Sequence, residues 1–109
     1  MKLLLSFGIV GTVLLSGCSF IDPLKGAAAI KLKQLDEVAH CHKLAETHVQ
    51  TLHKLGFLYR NQADIEKELE SLARNDAVRF KGNVIVPLDE IKQGANDYAI
   101  YLCPPNDLI

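Results

Sequence analysis

The first eighteen residues, MKLLLSFGIVGTVLLSGC, most constrain what this chain can fold into. Lys2 precedes an apolar run from Leu3 to Leu15, which has the length of the hydrophobic region of a secretory signal peptide and is too short for a comfortable membrane span. We therefore predict that residues 1–17 are a signal peptide that is cleaved. This leaves 109 − 17 = 92 residues, enough for one small domain.

The end of this run resembles the lipobox of bacterial lipoproteins, since Leu15-Ser16-Gly17 places a branched apolar residue and two small residues before Cys18. The resemblance implies that Cys18 becomes the first mature residue and carries a thioether lipid and an acylated amine. Several acyl chains, at about 0.8 kcal/mol per buried CH₂, make such an anchor effectively permanent. In lipoproteins of this type, Ser19 instead of aspartate after the cysteine implies the outer membrane of a Gram-negative host, with the domain facing the periplasm.

Two cysteines remain once Cys18 carries lipid, namely Cys41 and Cys103. In a small domain delivered to an oxidising compartment, such a pair is first interpreted as one disulfide. The bridge would close a loop spanning 103 − 41 = 62 residues, which in the chain-entropy model stabilises the fold by about 4 kcal/mol.

The stretch AHCHKLAETH, residues 39–48, raises the alternative of a metal site formed by His40, His42 and His48 with Cys41 reduced. In a strand His40 and His42 point to one face and Cys41 to the other, and in a helix consecutive residues fan out by about 100°, so neighbours do not converge on one ion. We therefore favour a disulfide flanked by solvated histidines, and we predict no metal and no cofactor. A catalytic Cys41 is disfavoured because no Asp, Asn or second cysteine stands at a motif spacing.

The predicted mature chain divides into a lipidated N-terminus and tether, residues 18–29, and a small α/β domain, residues 30–109. Pro23, Gly26 and three alanines indicate the tether. Residues 30–55 are ambiguous, because the spacing of Leu35, Val38 and later apolar residues favours an amphipathic helix whereas HKLAETHVQT is compatible with a strand.

The segment NQADIEKELESLARNDAVRFKGN predicts the clearest helix. Asn61 is suited to the N-cap, and Gly82 is expected to supply the left-handed residue that stops the helix. The apolar face of this helix is predicted to be buried, and the opposite, polar face is predicted to be solvated. The apolar stripe is Ile65, Leu69, Leu72, Ala73, Ala77 and Phe80, and the polar face carries Glu66, Glu70, Arg74 and Lys81.

Two strands are predicted after the helix. The apolar run Val84–Val86 is typical of a strand in the middle of a sheet, and Pro87 removes an amide and ends it. YAIYLC then alternates, with Tyr98, Ile100 and Leu102 on one face and Ala99, Tyr101 and Cys103 on the other.

The order of VAHCHKLAETHV, LARNDAVRFKGNVIV and YAIYLC resembles an uncharacterised family of small proteobacterial lipoproteins over residues 38–103. It is also distantly similar to the sensor lipoprotein of the Rcs envelope-stress phosphorelay. The resemblance implies an α+β fold, with one helix packed on a small antiparallel sheet, and two strands within residues 30–55. It also supports the joining of the first strand to the last through Cys41 and Cys103. The Rcs sensor uses more than one disulfide, so its signalling role does not transfer.

Charge and motifs exclude several classes of function. The predicted mature chain carries 11 basic and 13 acidic residues, a net charge of −2, without the basic stripe that nucleic acid requires. The sequence holds no Gly-rich phosphate loop, Ser-x-x-Lys or His-Glu-x-x-His motif. The carboxylates at 64, 66, 68 and 70 point in different directions around a helix, so they cannot converge as an acid/base pair. We therefore expect a non-enzymatic lipoprotein that binds an envelope protein or cell-wall component, or monitors the envelope.

Overall fold

The computed structural model describes residues 23–56 and 58–108, so the predicted signal peptide and Cys18 lie outside the described residues. Within these residues, one α-helix packs on a four-stranded sheet of order β1-β5-β6-β2, and β3 and β4 form a separate two-stranded hairpin. The elements are β1 (Lys31–Leu32), β2 (His42–Gln50), β3 (Lys54–Leu55), β4 (Leu58–Tyr59), α1 (Gln62–Arg79), β5 (Val84–Pro87) and β6 (Ala95–Leu102).

The α+β class and the packing of one helix on the sheet are confirmed. The sheet is mixed, not wholly antiparallel, because β1 runs parallel to β5 while β5–β6 and β6–β2 are antiparallel. The parallel pair aligns Lys31 with Val84 and Leu32 with Ile85.

Helix α1 begins where its capping residue predicts. The Asn61 side chain accepts hydrogen bonds from the amides of Ala63 at 2.7 Å and Asp64 at 3.4 Å, which satisfies two of the free N–H groups of the first turn. The stripe at Ile65, Leu69, Ala73 and Ala77 is buried against the sheet, and Leu72 packs at its margin.

The end of α1 differs from its prediction in two respects. Lys81, with φ 65°, is the left-handed residue, and the φ of Gly82 is not positive. Phe80 follows the last helical residue and is 52% exposed, so it is not part of the core.

Gly82 is required for close packing. A Cβ built there would lie 2.5 Å from Cγ2 of Ile100 and 2.9 Å from the backbone oxygen of Tyr101. Only glycine lets the chain leave the helix this close to β6.

The sheet carries apolar residues on both faces. Tyr98 and Ile100 pack towards α1, whereas Ala99 and Cys103 pack on the other side with Val84 and Val86 of β5. Val38, from the loop between β1 and β2, joins this second cluster and is 4% exposed. This alternation along β6 was predicted from YAIYLC, except that Leu102 is 46% exposed.

Residues 42–50 form a strand, so the helix favoured by apolar spacing is wrong. The resemblance was right to imply strands within residues 30–55, but the structure has three there (β1, β2 and β3), not two. Alternate side chains from β2 turn towards α1, where the Thr47 hydroxyl donates to Asp76 at 2.6 Å. Val49 is buried in the same cluster as Ile65.

Part of the predicted tether packs on α1. The Leu24 amide donates to the buried Asn75 side chain at 2.8 Å, and Ala27, in a short 3₁₀ turn, is 3% exposed. The Arg74 side chain donates to the Ile30 carbonyl at 3.1 Å. These contacts tie residues 24–30 to the helix.

Candidate functional site

The disulfide predicted between Cys41 and Cys103 is confirmed, with a Cα–Cα distance of 4.3 Å. It joins the residue before β2 to the residue after β6, at one end of the sheet. Cys103 is 3% exposed and Cys41 is half-buried. Because β2 and β6 are already neighbours, the bridge closes the end of an existing ladder.

The side chain of Asn83 forms hydrogen bonds at the same end of the sheet. It donates to the Cys103 carbonyl at 2.9 Å and accepts from the Cys103 amide at 2.8 Å. One amide side chain thus satisfies both backbone groups of the bridged cysteine, which lies just beyond the last strand. The sequence offered no signal for this role beyond the position of Asn83 before a β-branched run.

The histidines divide between two places. His40 and His42 line one pocket beside the disulfide, with Leu102 and two prolines among its walls. His48 lies six residues further along β2, about 20 Å away at the rise of a strand. Its ring nitrogen Nδ1 is 2.7 Å from Asp97 Oδ1 of β6.

Of the ligands in the alternative metal site, only His40 and His42 therefore lie close together, since Cys41 is disulfide-bonded. Across residues 23–56 and 58–108, no group of three or more His, Cys, Asp or Glu side chains is placed to hold a metal ion.

A cleft with a volume of about 290 Å³ lies between α1 and the β5–β6 connection. Glu66 and Glu70 form one wall, and Asp89 and Glu90 form the other. The floor is uncharged and mostly apolar. It is built from Leu32, Pro87, Ile91, Asn96 and Tyr98, with Gln34 at the margin.

Two salt bridges reduce the free negative charge of this cleft. Arg74 lies 3.4 Å from Glu70, and Lys92 lies 3.8 Å from Asp89. The sequence predicted a solvated helix face here, but Glu70 and Arg74 are half-buried because the N-terminal segment packs beside them. The opposing carboxylates were missed because they come from a connection about twenty residues further along the chain.

Tyr98, at the floor, is 2% exposed. Burial raises the pKa of its hydroxyl to about 12, and the negative charges of Glu70 and Glu66 act in the same direction. The hydroxyl also hydrogen-bonds with Asn96. The hydroxyl is therefore protonated at neutral pH and available as a hydrogen-bond donor at the floor of the cleft.

The described residues thus form a disulfide-bridged α+β domain with an acid-walled cleft. No helix within the described ranges is both long and apolar enough to cross a bilayer. A family model, Domain of unknown function (DUF4156), matches residues 22–103. The chain therefore belongs to the DUF4156 family. No curated protein and no solved structure matched it significantly.

Proposed function

We propose that this protein is a non-enzymatic lipid-anchored module of the cell envelope, held at the outer membrane through Cys18 and facing the periplasm, where it binds an envelope protein or a cell-wall component. The observation that supports the proposal most is the packing of residues 24–30 on α1. The folded domain then begins close behind the proposed lipidation site.

The short connection limits where a partner can be. From Cys18 to Pro23 there are five residues, which span at most about 18 Å when fully extended. The domain would therefore remain beside the lipid headgroups, and its partner would lie in or next to the same membrane.

Fatty-acid labelling tests the anchor. Wild type and Cys41→Ala should both incorporate labelled palmitate and be processed, whereas Cys18→Ala should remain an unlabelled precursor. Cys41→Ala is the matched control because it also removes one cysteine. Labelling of Cys18→Ala would contradict the proposal. We also expect wild type in the outer-membrane fraction and Ser19→Asp in the inner-membrane fraction.

Site-specific photocrosslinking tests where a partner binds. A photoreactive residue replaces Glu90 in the cleft, Leu102 near the disulfide, or Lys67 on the exposed side of α1 as the control. Adducts from intact cells are identified by mass spectrometry. An envelope component captured at Glu90 or Leu102 but not at Lys67 supports the proposal. The same adducts at all three positions, or none, contradict a dedicated binding surface on these two sites.

A metal-binding role is the second candidate, favoured by the shared pocket of His40 and His42. Protein purified without reductant is titrated with Zn²⁺ and assayed for free thiols. Stoichiometric zinc that is lost in His40→Ala but kept in His53→Ala, together with two free thiols, would favour the metal site. Absence of free thiols and of stoichiometric zinc would favour the binding module.

A further inference from the structure

Among the described residues, β2 is the longest strand and β6 is its only neighbour in the strand order, so β2 ends the sheet. The Thr51 amide donates to the Gly94 carbonyl at 2.8 Å, so the N–H of residue 51 points towards β6. Backbone direction alternates along a strand. The N–H and C=O groups of Glu46, His48 and Gln50 therefore point to the open edge.

One of the usual protections of an edge, an irregular register, lies at one end of β2. The register with β6 shifts between Lys43 and Ala45, and such an irregularity disrupts further pairing. From Ala45 to Gln50 the pairing with β6 is continuous. This straight segment presents a regular edge that another strand can extend.

The charges along this segment select a partner. In an antiparallel pair of identical segments, residues that point to the edge must face each other. One register sets Glu46 against Glu46 of the second copy, and another sets His48 against His48. The register between them sets each Glu46 opposite His48 of the other copy, with Thr47 facing itself across the two-fold axis.

The intermediate register also suits the face towards α1. It places Ala45 opposite Val49 of the second copy, and both side chains are small. In the free domain His48 already lies beside Asp97, and both side chains are more than half exposed. A second Glu46 would place another carboxylate on the open side of His48.

We propose that two copies of this protein pair antiparallel through the open edge of β2, with Thr47 on the two-fold axis and Glu46 opposite His48 in both directions. This joins two four-stranded sheets into one of eight strands. The proposal does not depend on lipidation, because it uses only contacts of the folded domain.

Cysteine scanning in the full chain tests the pairing. Facing residues of a non-hydrogen-bonded antiparallel pair have Cα atoms about 4.5 Å apart, within the range of a disulfide. Thr47→Cys should therefore give a covalent dimer on a non-reducing gel after mild oxidation of intact cells and quenching with N-ethylmaleimide. Gln50→Cys is the matched control, since its two copies would lie about 20 Å apart.

A second pair of variants allows for the case in which Thr47→Cys fails to fold, since this substitution removes the hydroxyl that donates to Asp76. Glu46→Cys and His48→Cys, expressed together, should form a mixed dimer, and neither alone should do so efficiently. In the Thr47→Cys chain, an added Glu46→Lys should lower the dimer yield by roughly tenfold, because two symmetry-related pairs lose their attraction at once.

Three results would overturn the proposal. The first is the absence of both the Thr47→Cys dimer and the mixed dimer, in protein whose Cys41–Cys103 bridge is intact by peptide mapping. The second is equal crosslinking of Thr47→Cys and Gln50→Cys, which indicates random collision. The third is efficient self-crosslinking of His48→Cys, which indicates a different register.

Discussion

Removal of the disulfide is expected to destabilise the whole domain. The bridge spans 62 residues, for which the chain-entropy relation gives about 14 cal/mol/K, or about 4 kcal/mol at 25 °C. A domain of this size has a total unfolding free energy of about 5–15 kcal/mol, so this loss is a large share. Urea titrations of oxidised protein, reduced protein and the Cys41→Ala/Cys103→Ala double variant measure it directly.

The comparison of variants tests the reasoning behind that number. Either single alanine variant already breaks the bridge, so the double variant should lose little more than Cys41→Ala alone. His40→Ala and His42→Ala, at exposed neighbours, should leave the midpoint nearly unchanged. A loss on reduction below about 1 kcal/mol would refute the entropic argument, since the relation requires several times that amount.

Three further substitutions test the core, the C-terminal end of α1 and the ion pair between Arg60 and Glu68. Leu69→Ala should cost about 3–5 kcal/mol by urea titration, because the side chain is fully buried; an unchanged midpoint would place it outside the core. Gly82→Ala should cost at least about 1–3 kcal/mol, because its Cβ would meet Ile100 and a backbone oxygen, and a native melting temperature would contradict that contact. The Arg60 side chain hydrogen-bonds the carboxylate of Glu68 at 2.9 and 2.5 Å and holds its pKa below the ordinary 4.5. This stabilisation is present above pH 4.5 and is lost as pH falls through the folded-state pKa, so wild type should lose more stability than Glu68→Gln on acidification, and parallel pH profiles would argue against the coupling.

Local signals predicted the elements whose boundaries are set by local chemistry. The side chain of Asn61 caps α1 because an N-cap bond joins residues two or three apart. The alternation along YAIYLC likewise reports which face of β6 each side chain takes, with the exposed Leu102 as the exception, and the apolar run before Pro87 reports a buried strand. The disulfide followed from the number of cysteines and the predicted compartment.

The sequence did not predict strand β2 clearly, because the side chains on its face towards α1 are mostly small or polar. Ala45 and Thr47 are only half-buried, so their alternation is weak against the accidental helical spacing of Leu35, Val38 and Leu52. The strand is fixed by its ladder with β6, and pairing with a distant segment leaves no periodic signal in one sequence.

The candidate site was also hidden by distance along the chain. The cleft needs Glu66 and Glu90 on opposite walls, and nothing near either residue indicates the other. Similarly, the left-handed residue after α1 is Lys81 because the backbone of Gly82 must pass against Ile100. A glycine after a helix usually indicates the stop, and here close packing takes precedence.

The order of strands in the sheet has a consequence for biogenesis. Lys31 of β1 pairs with Val84, which is 84 − 31 = 53 residues later, and Cys41 cannot form its disulfide until Cys103 is present. Within the described residues β6 lies between β2 and β5 and is the most C-terminal strand, so the four-stranded sheet cannot close in a partial chain that lacks it. Contacts this far apart along the sequence also slow the search for the native pairing. Until the C-terminal strand is available the Cys41–Cys103 bridge cannot form, which leaves the thiol of Cys41 exposed to oxidants and to other cysteines throughout that interval.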